Sequence, residues 1–181
     1  SYIITEAKKS NLFHTVHVST DDQLISDICS QYDCKPDFLR PKHLADDATP
    51  IMPVLKFVVE EYLKTNQKFD QVWLLMACSP LIEAEDLIKA SKVFDDNPLR
   101  PLLAIAEYPA PIEWAFTINP KNQLFPKYPG QFAIPSQKLE KTYFDAGVFA
   151  AFTLKEVIDS SGAGSDQNFS GYILEKLKAI D

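Results

Sequence analysis

The chain has 181 residues, 46% of them hydrophobic and 24% charged, with a net charge of −7. That composition suits one domain able to bury about 70% of the surface its unfolded form exposes. No apolar run approaches the roughly 18 residues of a membrane span, and an acidic chain with no Lys/Arg cluster longer than a pair is a poor phosphate-tracking surface, so neither membrane nor nucleic acid is an expected partner. Cys29, Cys34 and Cys78 lack paired zinc-site spacing and fit reduced thiols in a cytoplasm.

In chain order, Ile3, Ile4 and Ala7 recur at helical spacing, and Thr15-Val16-His17-Val18-Ser19 alternates as a strand. That strand runs into Thr20-Asp21-Asp22-Gln23, which spells a capping box for a helix reaching about Gln31, with Leu24, Ile25 and Ile28 on one face. Thr49 is placed to cap a long helix with Pro50 at its first position and an apolar stripe of Ile51, Val54, Leu55, Val58, Val59, Tyr62 and Leu63. Val72 to Ala77 is a continuous apolar run, the pattern of a strand covered on both faces. Ser79-Pro80 then leads into an acidic helix start at Glu83, Glu85 and Asp86, with Leu87, Ile88 and Phe94 apolar. Leu102 to Ala106 is a further strand-like run. Prolines at 109, 111, 120, 126, 129 and 135 break the later part into short pieces at Trp114 to Ile118 and Val148 to Phe152.

Strands alternating with helices predict an α/β fold: three layers, a mainly parallel twisted sheet, and helices on both faces. Such sheets bind ligands beyond the carboxyl ends of their strands. HVSTDD (His17 to Asp22) and LLMACSPL (Leu74 to Leu81) are two such ends, opening onto one crevice. A sheet of this kind normally begins with a strand, so a chain that opens on a helix, from Ser1 rather than a methionine, is expected to lack its first one.

Residue chemistry alone names no catalyst. His14 and His17, three apart beside a strand, point to opposite faces and cannot share a metal, and His43 reads as a loop residue. GxSxG is absent and no histidine follows Ser79 or Asp145, which excludes an α/β-hydrolase order. The GxG in SSGAGSDQ (Ser160 to Gln167) follows a helix and lacks the third glycine, so it reads as a surface loop.

The runs FHTVHVSTDDQLI, FLRPKHLADDATP (Phe38 to Pro50) and LLMACSPLIEAEDL (Leu74 to Leu87) resemble the cytidylyltransferases that activate nonulosonic acids as CMP-sugars, where VSTDD, LRPxxLAxD and an SPL-type turn recur in this order. EYPAPIEWAF (Glu107 to Phe116) and SQKLEKTYFDAGVF (Ser136 to Phe149) resemble the pseudaminic acid enzymes more than the N-acetylneuraminate ones. Where the latter usually carry a glutamine, an arginine and a PNG tripeptide, this chain has Met76, Ile82 and Asp145-Ala146-Gly147.

The resemblance implies CMP transfer from CTP to a nine-carbon acidic sugar, most of all pseudaminic acid, in a Rossmann-like nucleotide-diphospho-sugar transferase fold. A non-catalytic nucleotide- or sugar-binding domain is the alternative. It implies nucleotide contacts from Ser19, Asp21, Arg40, Asp47 and Thr49, although Thr49 also suffices as a helix cap and Arg40 as a surface arginine fixed by Pro41. It implies sugar contacts from Met76, Ser79, Asp145 and Gly147, against ordinary turn polarity for Ser79 and Asp145. Asp181 stands where the family begins a pair of Mg²⁺-binding aspartates. The family's phosphate loop, with glycine, arginine and lysine, finds no counterpart, so the 181 residues read as a single domain trimmed at both ends and are expected to be inactive. The aromatic, proline-rich stretch from about 109 to 137 is expected to form an extended arm that joins two copies.

Overall fold

A computed structural model describes residues 2–160 and 168–179. Asp181 and residues 161–167 of the SSGAGSDQ loop lie outside them. The helices are α1 (Tyr2–Ser10), α2 (Gln23–Ser30), α3 (Ile51–Lys64), α4 (Ala84–Asp95) and α5 (Leu154–Asp159). The strands are β1 (Gln71–Leu75), β2 (Leu102–Glu107), β3 (Phe116–Ile118), β4 (Leu124–Pro126), β5 (Tyr143–Thr153) and β6 (Ser170–Ile173).

The main sheet has the order β1-β5-β2-β6. β5 pairs antiparallel with both β1 and β2, and β6 pairs parallel with β2, so β5 alone runs against the other three strands. Its reversal has a local cause. Residues 108–142, between β2 and β5, hold no α-helix, and an antiparallel strand can return without the crossover helix a parallel one needs. That stretch instead holds β3 and β4, paired as a separate two-stranded sheet.

Alternation along β1 sets the layers. Trp73 and Leu75 pack with Ala7, Leu87, Phe94 and Phe149 on the α1/α4 side. Val72 and Leu74 pack with Met52, Val59, Phe152 and Val157 on the α3/α5 side. The continuous apolar run is thus a strand covered on both faces, as expected. Leu87 and Val157 are fully buried, each stabilising the fold by about 1.5–3 kcal/mol.

Three local expectations are corrected. The α2 cap is Asp22, whose carboxylate accepts from Leu24 N at 2.6 Å and Ile25 N at 3.4 Å, while Thr20 Oγ1 accepts from Asp22 N at 3.1 Å. Gln23 donates forward to Asp27 instead of back, so no reciprocal box forms and the cap lies two residues later than expected. Thr49 does not cap α3: Pro50 holds that position without a side-chain bond, and Thr49 Oγ1 donates to Asp46 Oδ1 at 2.8 Å. On α2 the buried residues are Ser26 and Cys29, whereas Ile25 and Ile28 are 45% and 54% exposed.

Residues 15–19 are extended, and their side chains alternate. Val16 and Val18 pack with Ile4, Cys29 and Cys34, and His17 turns the other way to stack on Phe38 at 4.5 Å. Among the described residues they form no ladder with any strand of the sheet.

Candidate active site

The carboxyl end of β1 and the end of the 15–19 segment line one cavity of about 830 Å³, which Ser19, Met76 and Ala77 share. Of the expected site residues, Ser19 and Met76 line it; the others fall in two groups, one around Thr20 and one around the Val148 carbonyl.

The first group surrounds Thr20. Arg40 N donates to Thr20 O at 2.7 Å, which fixes the LRP loop against the HVSTDD turn. Its guanidinium lies 3.8 Å from Asp21 Oδ1, with the side chains 25% and 43% exposed. Arg40 Nε and Ser19 Oγ are buried without partners. A half-buried cation with one long ion pair keeps donors for an anion, and planar guanidinium geometry suits phosphate oxygens. Asp46, rather than Asp47, organises the neighbouring turn: its carboxylate accepts from Ala48 N at 3.0 Å, from Thr49 N at 2.7 Å and from the Thr49 hydroxyl. The Thr49 hydroxyl bond, then the two amides, holds this carboxyl below its usual range. Asp47 is exposed beside it.

The second group surrounds the Val148 carbonyl. Met76 N donates to it at 2.9 Å, prolonging the β1–β5 ladder. Ser79 is 2% exposed with its hydroxyl 3.5 Å from the same oxygen, so it pins the SPL turn to β5 instead of facing a ligand. Asp145 is exposed and accepts from Gly147 N at 2.9 Å. Gly147 has φ +65°, a conformation that favours glycine. β5 bulges here: Leu103 faces Ala150 and Ile105 faces Asp145, so two steps on β2 span five on β5. The bulge turns Asp145 and Gly147 outward at the strand end.

Sequence reasoning gave the histidines no role, and His17 has one. Its Nδ1 lies 3.0 Å from the Tyr62 hydroxyl, which donates to Asp37 Oδ2 at 2.6 Å. Tyr62 oxygen therefore accepts from Nδ1–H, and Nε2 is a buried acceptor without a partner. Burial pushes the imidazole below its usual value, partly offset by the Asp37 carboxylate. Burial, then the bond to Asp37 and its charge, pushes the Tyr62 hydroxyl up. The alternation of His17 with Val16 and Val18 was the available signal, since it places the imidazole in a packed layer.

Among the described residues no three His, Cys, Asp or Glu side chains converge to hold a metal ion. The described residues therefore form no all-protein cage for a cation; Mg²⁺ held by one or two carboxylates and substrate phosphates needs none.

The chain is a mixed α/β sheet whose strand ends border one crevice. The synthetase of CMP-2-keto-3-deoxy-manno-octonic acid, solved with CTP, has this fold: the TM-score is 0.68 at 14% identity, over 96% of this chain and 77% of that one. The cytidylyltransferase family profile matches residues 1–108. Two pseudaminic acid cytidylyltransferases of Campylobacter jejuni, from serotypes O:2 and O:23/36, are 35% and 33% identical over 86% of this chain and 67% of theirs. The flagellin modification protein B of Campylobacter coli is 37% identical over 54% of this chain and 42% of its own length. The chain belongs to the cytidylyltransferase family.

Proposed function

We propose that the protein transfers CMP from CTP to a nonulosonic acid, pseudaminic acid first among them. The observation that carries this reading is the 35% identity over 86% of the chain with a pseudaminic acid cytidylyltransferase. In the reaction the sugar's anomeric hydroxyl attacks the α-phosphorus. The new P–O bond forms as the bond to pyrophosphate breaks, and the hydroxyl proton is lost. Catalysis is mostly positioning and charge neutralisation. Arg40 meets the phosphates, kept in place by Asp21 and by its amide bond to Thr20. Met76, Asp145 and Gly147 border the sugar. Mg²⁺, with Asp181 among its ligands as the resemblance implies, would supply further positive charge.

The 109–137 arm is the proposed contact between two copies, because Phe125 and Phe132 are 52% and 60% exposed on it and aromatic surface of this kind suits an interface core. A cytoplasmic setting fits the free thiols of Cys29, Cys34 and Cys78. Among the described residues no helix is long and apolar enough to cross a membrane.

The test is pyrophosphate release and CMP-sugar formation from CTP with pseudaminic, legionaminic and neuraminic acids in parallel, using the chain carried to the length of its curated relatives, of which the 181 residues span 67%. Highest kcat/KM with pseudaminic acid is expected. CTP binding without turnover on any of the three would favour a non-catalytic binding domain instead.

A further inference from the structure

α2 runs on past Ser30 into a closing turn that brings two cysteines together. Gln31 N donates to Ile28 O and Tyr32 N to Cys29 O, both at 3.0 Å; Asp33 N then donates to Ser30 O at 3.2 Å and Cys34 N to Cys29 O at 3.1 Å. Asp33 has φ +50°, the left-handed conformation that ends a helix in the Schellman motif, where the side chains at the two ends of the longest bond meet. Here those two side chains are Cys29 and Cys34. Lys8 of α1 clasps the turn from outside, its Nζ donating to Tyr32 O and Asp33 O at 2.7 Å each. The two cysteines share one small core with Ile4, are 6% and 4% exposed, and carry free thiols. Cys34 Sγ donates to Val16 O at 3.4 Å. Burial pushes this thiol up, Lys8 pulls it down, and Cys29 is near enough to push it further.

The turn does not need this pair. An apolar contact is what the motif asks of its two ends, and valine or leucine would meet it without a reactive atom. A disulfide asks for more: Cα atoms about 4.4–6.8 Å apart and Cβ atoms about 3.5–4.5 Å apart. Two residues joined by a backbone hydrogen bond, with side chains in one contact, meet that demand with little backbone movement. Access is local as well. Residues 31–33, the link between the two cysteines, are exposed, so releasing this one turn uncovers both thiols while the sheet stays folded.

We propose that Cys29 and Cys34 form a redox site, a dithiol that a small-molecule disulfide closes into an intramolecular disulfide and that a free thiol reopens. One cysteine thiolate attacks the reagent and expels one of its halves as a thiolate. The other cysteine thiolate then attacks the mixed disulfide at the protein sulfur and expels the second half. The two cysteine protons end on the expelled thiolates, so the cysteines are oxidised and the reagent is reduced to two thiols. Closure also takes the thiol proton away from Val16 O. The inference rests on the turn at the end of α2 and is independent of the proposed reaction.

The probe is glutathione disulfide. The 181-residue chain is brought to equilibrium with mixtures of glutathione and glutathione disulfide, in native buffer and in unfolding urea, then quenched in acid and its cysteines located by peptide mass spectrometry. A Cys29–Cys34 disulfide, two hydrogens lighter than the dithiol and reversed by dithiothreitol, is expected. Its equilibrium constant should be at least about 10-fold larger in the folded chain than in the unfolded one, because the turn raises the effective concentration of one thiol at the other. Cys78, which is exposed, should stop at the mixed disulfide and react sooner than the buried pair, which makes it the internal control. A constant no larger in the folded chain, glutathione retained on Cys29 or Cys34 as the stable product, or both thiols still reduced at equilibrium where Cys78 is fully modified would each overturn the proposal.

Discussion

Tyr62→Phe tests whether the buried polar chain from Asp37 to His17 holds the α3 layer in place. The substitution removes the bond from His17 Nδ1 at 3.0 Å and the bond to Asp37 Oδ2 at 2.6 Å. A neutral bond is worth about 1 kcal/mol and a charge-assisted one about 1.5–3 kcal/mol. Asp37 is exposed and recovers water, which argues for the low end of the second value. His17 gains nothing, because its Nε2 is already buried without a partner and its Nδ1 would join it, adding about 1 kcal/mol. The sum is about 3.5 kcal/mol, with no cavity contribution because the ring stays. In a domain of this size each kcal/mol moves Tm by about 2–4 °C, so a fall of about 7–14 °C is expected. Urea unfolding followed by tryptophan fluorescence should give the same loss with an unchanged m-value. A loss below about 0.5 kcal/mol would mean that water replaces the phenol and that the network carries no structural weight.

His17 also sets a pH dependence. Its folded pKa lies below the unfolded value, so the folded state binds fewer protons and stability falls as pH drops through and below about 6.5; His17→Met should flatten urea midpoints measured from pH 7.5 to 5.5. Arg40→Ala should raise KM for CTP by about 10–100-fold, the value of one or two charge-assisted contacts, and Arg40→Lys should recover only part of it in steady-state assays. Gly147→Ala should lower Tm by about 2–8 °C: φ is +65° and a Cβ there would meet nothing within 4 Å, so backbone strain of about 1–2 kcal/mol is the whole cost. A larger fall in calorimetry would point to a clash instead.

The layers were legible in the chain because periodicity reports them directly: Ile3, Ile4 and Ala7 are buried on α1, and Val72 to Leu75 divide between two cores. Strand direction was not, since apolarity along β5 is the same whichever way it runs, and only the absence of a helix between residues 108 and 142 hinted at the reversal. Caps were misplaced wherever several acceptors sit in a row. At Thr20 to Asp22 and Asp46 to Thr49 the carboxylate that reaches the amides first takes the turn, and composition alone does not rank them. Among the site residues, Arg40 lies 3.8 Å from Asp21, and Ser19 lines the cavity. Ser79 is turned inward because the Val148 carbonyl lies beneath it, a tertiary neighbour 69 residues away that no local pattern reveals.

The reversed strand also dictates an order of events during synthesis. β1 and β2 do not touch; β5 lies between them and joins them. Residues 1–108, the part that matches the family profile, thus leave the ribosome holding two strands that have no common partner. Thr153 follows Glu107 by 46 residues, roughly 2–9 s of translation at about 5–20 residues per second. Throughout that interval the edges of β1 and β2 that β5 will occupy are open apolar templates, and a nascent chain in that state is a natural client for a chaperone that shields strand edges.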